Sequence, residues 1–547
     1  MKKYLYLSIT SGILLWLGWP PTRFTTPLLF IGFVPLLSVT EQLAPTQNTN
    51  KKNGIYIFTF IGLSFLLWNI GSIYWVYYAI RVGTGNIGGL FVSLIPWGLG
   101  TLLMTVSFWG YFQLKKNLNK WLAYIGLLCL WTSYEYLHQT WDLAFPWMTL
   151  GNGLAEWPQL IQWYSYTGVY GGTIWILICN ILLFECYTNI RKHNVKQHKF
   201  IIISSILCFL IPISISLTMY YSYEETENPC HVVVIQPNID PYQKYNGLSI
   251  SEQEKRLIKL SDSLGISNTE FFIWPETAIA EYVDEENIRQ YPIYQQLKQF
   301  ISHYKNGNIL SGIESYKTYG FAKTPSADFI AQHNRYIDNF NAATLIDNSD
   351  KIQFYHKSIL VPGVEKFPFK NSLTLFKPLF AKLGGATGSY GSQLEPSVFY
   401  SQSGIGVAPI ICYESIWGNY VAQYMQKEAQ FIAIITNDAW WGNTSGKDQH
   451  LAYARLRAIE TRRWVARSAN TGISAFINQR GDVVQKTNWW KIEGLRQTIN
   501  LNTEKTFYVQ HGDWLIMPLI CTEICLIICS FAIGIKRKKL SCVISKK

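Results

Sequence analysis

The chain has 547 residues, of which 49% are hydrophobic and 15% are charged, whereas an ordinary soluble protein has about a quarter charged residues. This deficit excludes a disordered or wholly water-exposed protein. Lys and Arg number 47 and Asp and Glu 35, which gives a formal net charge of +12. The basic residues cluster at the ends of apolar runs, and the polar part of the chain has no basic stripe interleaved with aromatics, so nucleic-acid binding is not expected.

Eight apolar stretches have the length, or nearly the length, of a membrane-spanning helix. They are 4–19, 27–39, 55–80, 89–114, 121–137, 162–187, 200–221 and 514–535. The first two are short, and a signal peptide or a re-entrant hairpin would also fit them, although Gly18-Trp19-Pro20-Pro21 offers no small-residue cleavage site. We therefore expect a transmembrane bundle of seven helices at 1–222, a globular domain at 223–512, an eighth spanning helix at 513–535 and a basic tail at 536–547.

The loop charges predict the orientation of these helices. If all eight stretches span, seventeen Lys and Arg residues lie at one face, and the short loops of the other face hold only Arg23 and Arg81. Positive residues mark the cytoplasmic side of membrane proteins. The chain is therefore predicted to be a multi-pass membrane protein with both termini in the cytoplasm and an extracytoplasmic domain at 223–512.

Within the polar domain, short buried-strand patterns alternate with helix-like stretches. The strand patterns are 231–236, 271–274, 309–312, 342–346, 406–412 and 431–436, and the helix-like stretches include 251–264 and 449–466. This alternation is typical of a layered α/β sandwich. The ten cysteines form no CxxC pair and no Cys/His ligand spacing, so neither a disulfide framework nor a metal site is expected.

Three short segments place a reactive side chain where a predicted strand ends. They are Trp274-Pro-Glu276-Thr, Tyr355-His-Lys357-Ser and Ile411-Cys412-Tyr-Glu. In α/β sheets, catalytic groups converge at such strand ends. Covalent catalysis by Cys412 needs a base to take its proton and a cation to stabilise the thiolate and the oxyanion, and Glu276 and Lys357 supply these two chemistries.

In their order and surroundings, Glu276, Lys357 and Cys412 resemble the nitrilase superfamily. Together with the membrane segments, the chain resembles the apolipoprotein N-acyltransferase family within it. Matching segments are 234–238, 274–277, 339–342, 357–365, 412–414 and 436–442, the run from Gln449-His450 through Arg467 to Asn470-Thr-Gly472, and the Phe145-Pro-Trp147 loop. The family pattern Leu-Val-Pro-Phe-Gly-Glu reads Leu360-Val-Pro-Gly-Val-Glu365 here, which keeps Glu365 in register.

The resemblance implies an extracytoplasmic nitrilase-like α/β/β/α domain in which Cys412 is the nucleophile, Glu276 the base and Lys357 the oxyanion-side cation. It implies supporting or substrate-binding roles for a further set: Glu365, Tyr413, Glu414, Asn341, Tyr245 and Trp147. The implied reaction moves an acyl chain from a phospholipid, through a thioester, to the N-terminal amine of a diacylglyceryl-cysteine in a lipoprotein. The implied enzyme is a monomer of the bacterial inner membrane without a cofactor, and its catalytic domain is periplasmic. The aromatic and glycine-containing segment 370–390 fits either a lid or an ordinary surface loop.

Two other functions fit parts of the sequence. A membrane-anchored amidase would use the same three residues with water as acceptor, but anchoring needs one spanning helix and not eight. A transporter or polar-lipid binding protein would need paired charges inside the helices, and the apolar runs hold few charges. Glu135 near the end of one run is an intramembrane or an interfacial acid, and Asn437-Asp438 could orient the site or form an ordinary turn.

Overall fold

The computed structural model describes residues 1–43, 52–191, 195–244, 247–369, 372 and 388–544. The chain divides into two compact units. The first comprises Met1–Tyr74, Leu90–Met219 and Asp513–Lys547, and the second comprises Trp75–Gly89 and Tyr220–Gly512. The helices are α1 (Lys2–Gly18), α2 (Val34–Leu43), α3 (Lys52–Ser72), α4 (Trp75–Asn117), α5 (Lys120–Thr140), α6 (Tyr164–Arg191), α7 (Val195–Ser222), α8 (Ile250–Leu264), α9 (Pro292–Ile301), α10 (Gly418–Gln426), α11 (Ser445–Thr461), α12 (Phe507–His511) and α13 (Ile516–Ile544).

The first unit consists of apolar helices and short 3₁₀ turns. Among the described residues, six helical segments are long and apolar enough to cross a membrane: Thr26–Leu43, Asn53–Ser72, Trp75–Asn117, Tyr164–Ile190, Lys199–Ser222 and Ile516–Arg537. The other two predicted stretches correspond to α1 and α5. Helix α1 has 17 residues, at the lower end of the range of about 17–25 that spans a bilayer core, and α5 carries the polar side chains of Glu135, His138 and Gln139.

A buried carboxyl group, that of Glu135, links three elements of this unit. Glu135 Oε1 accepts hydrogen bonds from Trp131 Nε1 at 2.9 Å and from the backbone N–H of Leu150 at 2.7 Å. Its Oε2 accepts from Thr173 Oγ1 at 2.9 Å. Glu135 is 1% exposed, so it joins α5, α6 and the 3₁₀ segment Leu150–Leu154 inside the unit. Glu135 is therefore a buried carboxyl group with three hydrogen-bond donors, as the burial of a polar group requires.

Helix α4 differs from the expected boundaries. The sequence pattern predicts one helix over 55–80 and another over 89–114, but α3 ends at Ser72 and α4 runs from Trp75 to Asn117 with non-helical backbone at Gly85 (φ 73°). The residues Trp75–Gly89 belong to the second unit, although the sequence boundaries assign them to the bundle. The reason is a specific contact, because Trp75 Nε1 donates to Gln449 Oε1 at 3.0 Å and its ring packs on Trp441.

The second unit contains two sheets. The strands are β1 (Pro229–Gln236), β2 (Thr269–Ile273), β3 (Ile279–Asp284), β4 (Asn308–Tyr319), β5 (Asp328–Ile330), β6 (Arg335–Asp347), β7 (Ile352–His356), β8 (Phe399–Tyr400), β9 (Gly406–Ile411), β10 (Phe431–Thr436), β11 (Val465–Ala469), β12 (Ala475–Ile477), β13 (Val483–Lys486) and β14 (Glu493–Asn500). In the described chain the first sheet has eight strands in the order β14-β1-β2-β4-β6-β5, with β3 beside β4 and β7 beside β6. The second has six strands in the order β13-β12-β11-β10-β9-β8.

The two sheets pack face to face and each carries helices on its outer side. Phe271 of β2 packs on Phe431 of β10 with ring centroids 5.1 Å apart, and Ser468 Oγ of β11 donates to the Ile235 carbonyl of β1 at 2.7 Å. Helices α8 and α9 cover the first sheet, and α10 and α11 cover the second. The predicted layered α/β sandwich is therefore confirmed as an α/β/β/α arrangement.

The sequence-predicted elements of this unit are present, with one correction. All six predicted strands occur, and α8 begins with the capping box of Ser249 and Glu252. The helix-like stretch 449–466 is wrong at its end, because α11 stops at Thr461 and Val465–Ala469 forms β11. Arg462 adopts left-handed backbone (φ 52°) and ends the helix, and the next residues find a parallel partner in β10.

Candidate active site

Three strand ends bring the predicted reactive residues together. Glu276 follows β2, Lys357 follows β7, and Cys412 follows β9. Strands β6 and β7 are antiparallel neighbours, and the Lys357 N–H donates to the Asn341 carbonyl at 2.9 Å. The pairing of these two strands therefore sets the position of Lys357 relative to Asn341.

Lys357 lies between two carboxylates. Its Nζ is 3.2 Å from Glu276 Oε1 and 2.7 Å from Glu365 Oε1, and its side chain is 1% exposed. Asn341 Nδ2 donates to the same two oxygen atoms, at 2.8 Å to Glu276 and 2.9 Å to Glu365. Burial by itself lowers the pKa of Lys357, but the charges of Glu365 and Glu276 outweigh it and hold the pKa well above the ordinary value. Lys357 is therefore a permanent cation in this site.

Cys412 begins a 3₁₀ turn, Cys412–Ile416, with left-handed backbone (φ 50°) that is uncommon for a residue other than glycine. The side chain is 9% exposed. Burial and the negative charge of Glu276 raise the pKa of the thiol, while Lys357 and a hydrogen bond with Thr436 act in the opposite direction with a smaller effect. The resting Cys412 side chain is thus a protonated thiol, which would need a base to act as a nucleophile.

Glu414 ties the nucleophile turn to the segment that follows Lys357. Its Oε2 accepts from the Ile411 N–H at 2.9 Å, and its Oε1 accepts from the N–H groups of Ser358 and Ile359 at 2.7 and 3.2 Å and from Tyr355 Oη at 2.5 Å. Glu414 is completely buried. Burial raises its pKa to about 7, although its hydrogen bonds and Lys357 lower it. This single carboxyl group therefore fixes Cys412 relative to Lys357.

The remaining predicted residues lie at different places. Tyr413 is buried, and its ring packs edge-on against Trp417 with centroids 4.8 Å apart. Trp147 belongs to the first unit, where it is 1% exposed and stacks on Phe145. Tyr245 and most of the predicted lid segment 370–390 lie outside the described residues. Within the described part of the chain, no group of three or more His, Cys, Asp or Glu side chains could hold a metal ion.

The comparison with protein families assigns both units. Residues 232–507, half of the chain, match the carbon-nitrogen hydrolase family. The chain belongs to the carbon-nitrogen hydrolase family. Residues 11–182 match the N-terminal domain of apolipoprotein N-acyltransferase, so within the family the chain belongs to the apolipoprotein N-acyltransferases. The resemblance inferred from the sequence motifs is therefore confirmed.

Curated relatives align with nearly the whole length of this chain. It is 29% identical to an apolipoprotein N-acyltransferase of Chlorobaculum tepidum, over 96% of this chain and 95% of that protein. It is 28% identical to the apolipoprotein N-acyltransferase of Wigglesworthia glossinidia brevipalpis, over 86% of this chain and 88% of that protein. Among solved structures, the chain is similar to a CN-hydrolase superfamily protein of Xanthomonas campestris. The alignment covers 54% of this chain and 97% of that protein, with 14% sequence identity and a TM-score of 0.35.

The structure adds residues at the candidate site that the sequence motifs did not identify. Lys244 Nζ donates to the carbonyl of Thr277, the residue after Glu276. Thr277 adopts left-handed backbone (φ 47°). Burial lowers the pKa of Lys244, while Glu314 and Glu276 raise it. Gly312 of β4 lies against the backbone of the Glu276 turn. A single Lys or Gly in a sequence carries no signal of such a contact, because both contacts join residues more than 30 positions apart.

Proposed function

We propose that this protein is an N-acyltransferase that moves an acyl chain from a phospholipid, through a thioester on Cys412, to the N-terminal amine of the diacylglyceryl-cysteine of a lipoprotein. The observation that carries the proposal is the set of buried Cys412, Lys357 and Glu276 with the partly buried Glu365, in a chain that also has a unit of apolar helices. Thiol chemistry of this kind transfers acyl groups, and apolar helices bring the enzyme to a lipid donor and a lipid-anchored acceptor.

In the first half-reaction, Glu276 accepts the proton of the Cys412 thiol and the sulfur attacks the ester carbonyl carbon of the phospholipid. The negative charge that develops on the carbonyl oxygen is stabilised by Lys357, which its two carboxylate neighbours keep protonated. The C–O bond of the ester then breaks, and the lysophospholipid oxygen leaves with the proton held by Glu276. The products are a thioester on Cys412 and a lysophospholipid.

In the second half-reaction, the neutral α-amine of the acceptor attacks the thioester carbonyl. Glu276 accepts the proton from the attacking nitrogen and passes it to the departing sulfur, so an amide forms and the Cys412 thiol is restored. In both steps Glu365 holds Lys357 in place through the 2.7 Å contact. With two carboxylates and one ammonium, the resting cluster carries one net negative charge, which suits it to accept one proton per half-reaction.

We also propose the membrane arrangement. All eight apolar stretches cross the bacterial inner membrane, both termini are cytoplasmic, the catalytic unit is periplasmic, and the enzyme acts as a monomer. The supporting observations are the strong bias of basic residues toward one set of loops and the six helices of spanning length and composition. Glu365, Tyr413, Glu414, Asn341, Tyr245 and Trp147 complete the proposed substrate-binding and positioning set.

Hydrolysis of a small amide is the alternative activity of the same three residues. It would use water in place of the amine and would leave the helical unit without a purpose beyond anchoring. No feature of the described site favours it, and the two activities give different products in one experiment.

The test is to incubate the purified full-length protein in detergent with phospholipid alone and to record its intact mass. We expect an acyl-sized mass increase that hydroxylamine removes and that Cys412→Ser abolishes. Cys230→Ser is the matched control, since Cys230 is the other buried cysteine of the polar domain, and it should acylate normally. A diacylated lipopeptide with a free N-terminus should then discharge the adduct and gain the acyl chain. Release of ammonia from small amides without any adduct would refute the proposal.

A further inference from the structure

A buried hydrogen-bond network that the proposed chemistry does not use lies against the carbonyl group of the nucleophile. His450 Nε2 is 2.9 Å from Ser415 Oγ and 3.3 Å from the Cys412 carbonyl oxygen. Ser415 Oγ donates to the same carbonyl oxygen at 2.8 Å. On the other edge of the ring, His450 Nδ1 is 2.9 Å from Arg467 Nη2 and 3.1 Å from Asp438 Oδ1. All four side chains are at most 1% exposed.

The partners of the ring select one tautomer. A guanidinium group can only donate and a carboxylate can only accept, so Arg467 Nη2 at 2.9 Å and Asp438 Oδ1 at 3.1 Å make opposite demands on Nδ1. A proton on Nε2 satisfies Arg467 and also the Cys412 carbonyl, which can only accept, while Asp438 Oδ1 keeps Arg467 and Thr436 as donors. In this form Nε2–H donates to Ser415 Oγ and the Cys412 carbonyl, and the Ser415 hydroxyl donates to the same carbonyl. In the other neutral tautomer Nε2 would have no proton for the Cys412 carbonyl, and the Ser415 hydroxyl alone would face both acceptors. Burial, the largest effect, lowers the pKa of His450, so the ring is neutral.

Asp438 and Arg467 form the rigid base of this network. Arg467 Nη2 is 2.9 Å from both carboxylate oxygens of Asp438. Asp438 is packed so closely that a Cβ atom on Gly472 would lie 2.2 Å from its Oδ2. The two residues that follow β10 therefore differ: Asp438 orients the network behind Cys412, whereas Asn437 caps its own turn by accepting from the Ala439 N–H.

The nucleophile requires such support because of its backbone. A non-glycine residue in the left-handed region costs about 1–3 kcal/mol and persists only where its surroundings hold it. Because the peptide unit is planar, holding the Cys412 carbonyl also fixes the direction of the Tyr413 N–H and, through the backbone, the direction of the thiol.

We propose that His450 is a positioning residue of the acyl transfer: its Nε2–H group, backed by Arg467 on Nδ1, holds the Cys412 carbonyl directly and through Ser415, and thereby fixes the left-handed backbone that presents the thiol. The inference rests on the proposed function, since it takes Cys412 as the nucleophile. It adds a residue outside the set formed by Glu276, Lys357 and Cys412.

The experiment measures single-turnover acylation of the full-length protein by phospholipid, with the rate constant and the final acylated fraction determined separately. His450→Leu should lower the rate constant roughly 10- to 100-fold, in line with the effect of about 1 Å of misplacement, while the acylated fraction stays near that of the wild type. His450→Gln should recover most of the rate, because its amide N–H can occupy the position of Nε2–H. Thr344→Val, which removes a buried hydroxyl without a partner among the described residues, should stay within about twofold.

Three results would overturn the inference: a His450→Leu rate constant within threefold of the wild type, a His450→Gln rate constant as low as that of His450→Leu, or a loss confined to the acylated fraction, which is the signature of misfolding. If the wild-type protein takes no acyl group from phospholipid, the proposed function fails, and alkylation of Cys412 by iodoacetamide, followed by peptide mass, tests the positioning by itself. His450→Leu should then be alkylated several-fold more slowly and His450→Gln nearly normally, and equal rates in all three proteins would refute the role.

Discussion

Gly312 of β4 lies so close to the backbone of the Glu276 turn that a substitution by alanine should disturb the candidate site. A Cβ atom at Gly312 would lie 2.4 Å from the Thr277 N atom, 2.6 Å from Glu276 Cα and 2.6 Å from the Pro275 carbonyl oxygen. Ordinary contacts begin near 3.4 Å, and all three atoms belong to backbone, so the Glu276 turn must move by roughly 1 Å. Misplacement of a catalytic group by about 1 Å costs on the order of 10²-fold in rate.

We therefore expect Gly312→Ala to lower the single-turnover rate of Cys412 acylation about 100-fold and to lower the free energy of unfolding by about 1–3 kcal/mol, the usual cost of overpacking. Gly320→Ala is the matched control, since a Cβ there meets no atom within 4 Å, and it should acylate at the wild-type rate. The assay is intact-mass measurement over time after mixing with phospholipid, with melting temperature as the control for folding. A folded Gly312→Ala protein that acylates within threefold of the wild type would refute the argument.

Three further predictions concern the charges of the site. Glu414→Gln places an amide N–H against a backbone N–H and weakens charge-assisted hydrogen bonds, so it should lower the free energy of unfolding by about 2–3 kcal/mol in a melting assay. The control is Glu395→Gln at an exposed position, which should change the free energy of unfolding by less than about 0.5 kcal/mol in the same assay. Glu276→Gln should slow acylation by roughly 100-fold or more. It should also shift the pH profile of Cys412 alkylation to lower pH, because it removes a charge that raises the pKa of the thiol. A shift of the profile to higher pH would contradict this prediction. Burial raises the pKa of Asp438, but its charged and hydrogen-bonded partners outweigh burial and lower the pKa from 3.8 to about 2. The ionised form therefore stabilises the fold by roughly 2 kcal/mol above pH 4, and this contribution is lost as the pH falls to 2. Melting curves of Asp438→Asn should lack that part of the acid dependence.

Much of the architecture could be predicted because it follows from local composition. Apolar runs of spanning length identify the helical unit, and alternating strand and helix patterns identify the layered domain. The boundaries that failed depend on distant partners. The start of α4 is set by the contact of Trp75 with Gln449, and the end of α11 is set by the pairing of Val465–Ala469 with β10. Neither partner can be identified from the local sequence.

The same division holds for the site. The sequence by itself predicts which residues carry the chemistry, because a thiol, a carboxylate and an ammonium group at three strand ends form a recognisable set. The tertiary structure alone showed that Asn341 bridges Glu276 and Glu365, that Glu414 joins two loops, and that His450 lies behind the nucleophile. These contacts join residues about 25 to 65 positions apart across strand pairs and layers. Their strength depends on burial and hydrogen-bond geometry, and those properties exist only after the chain has folded.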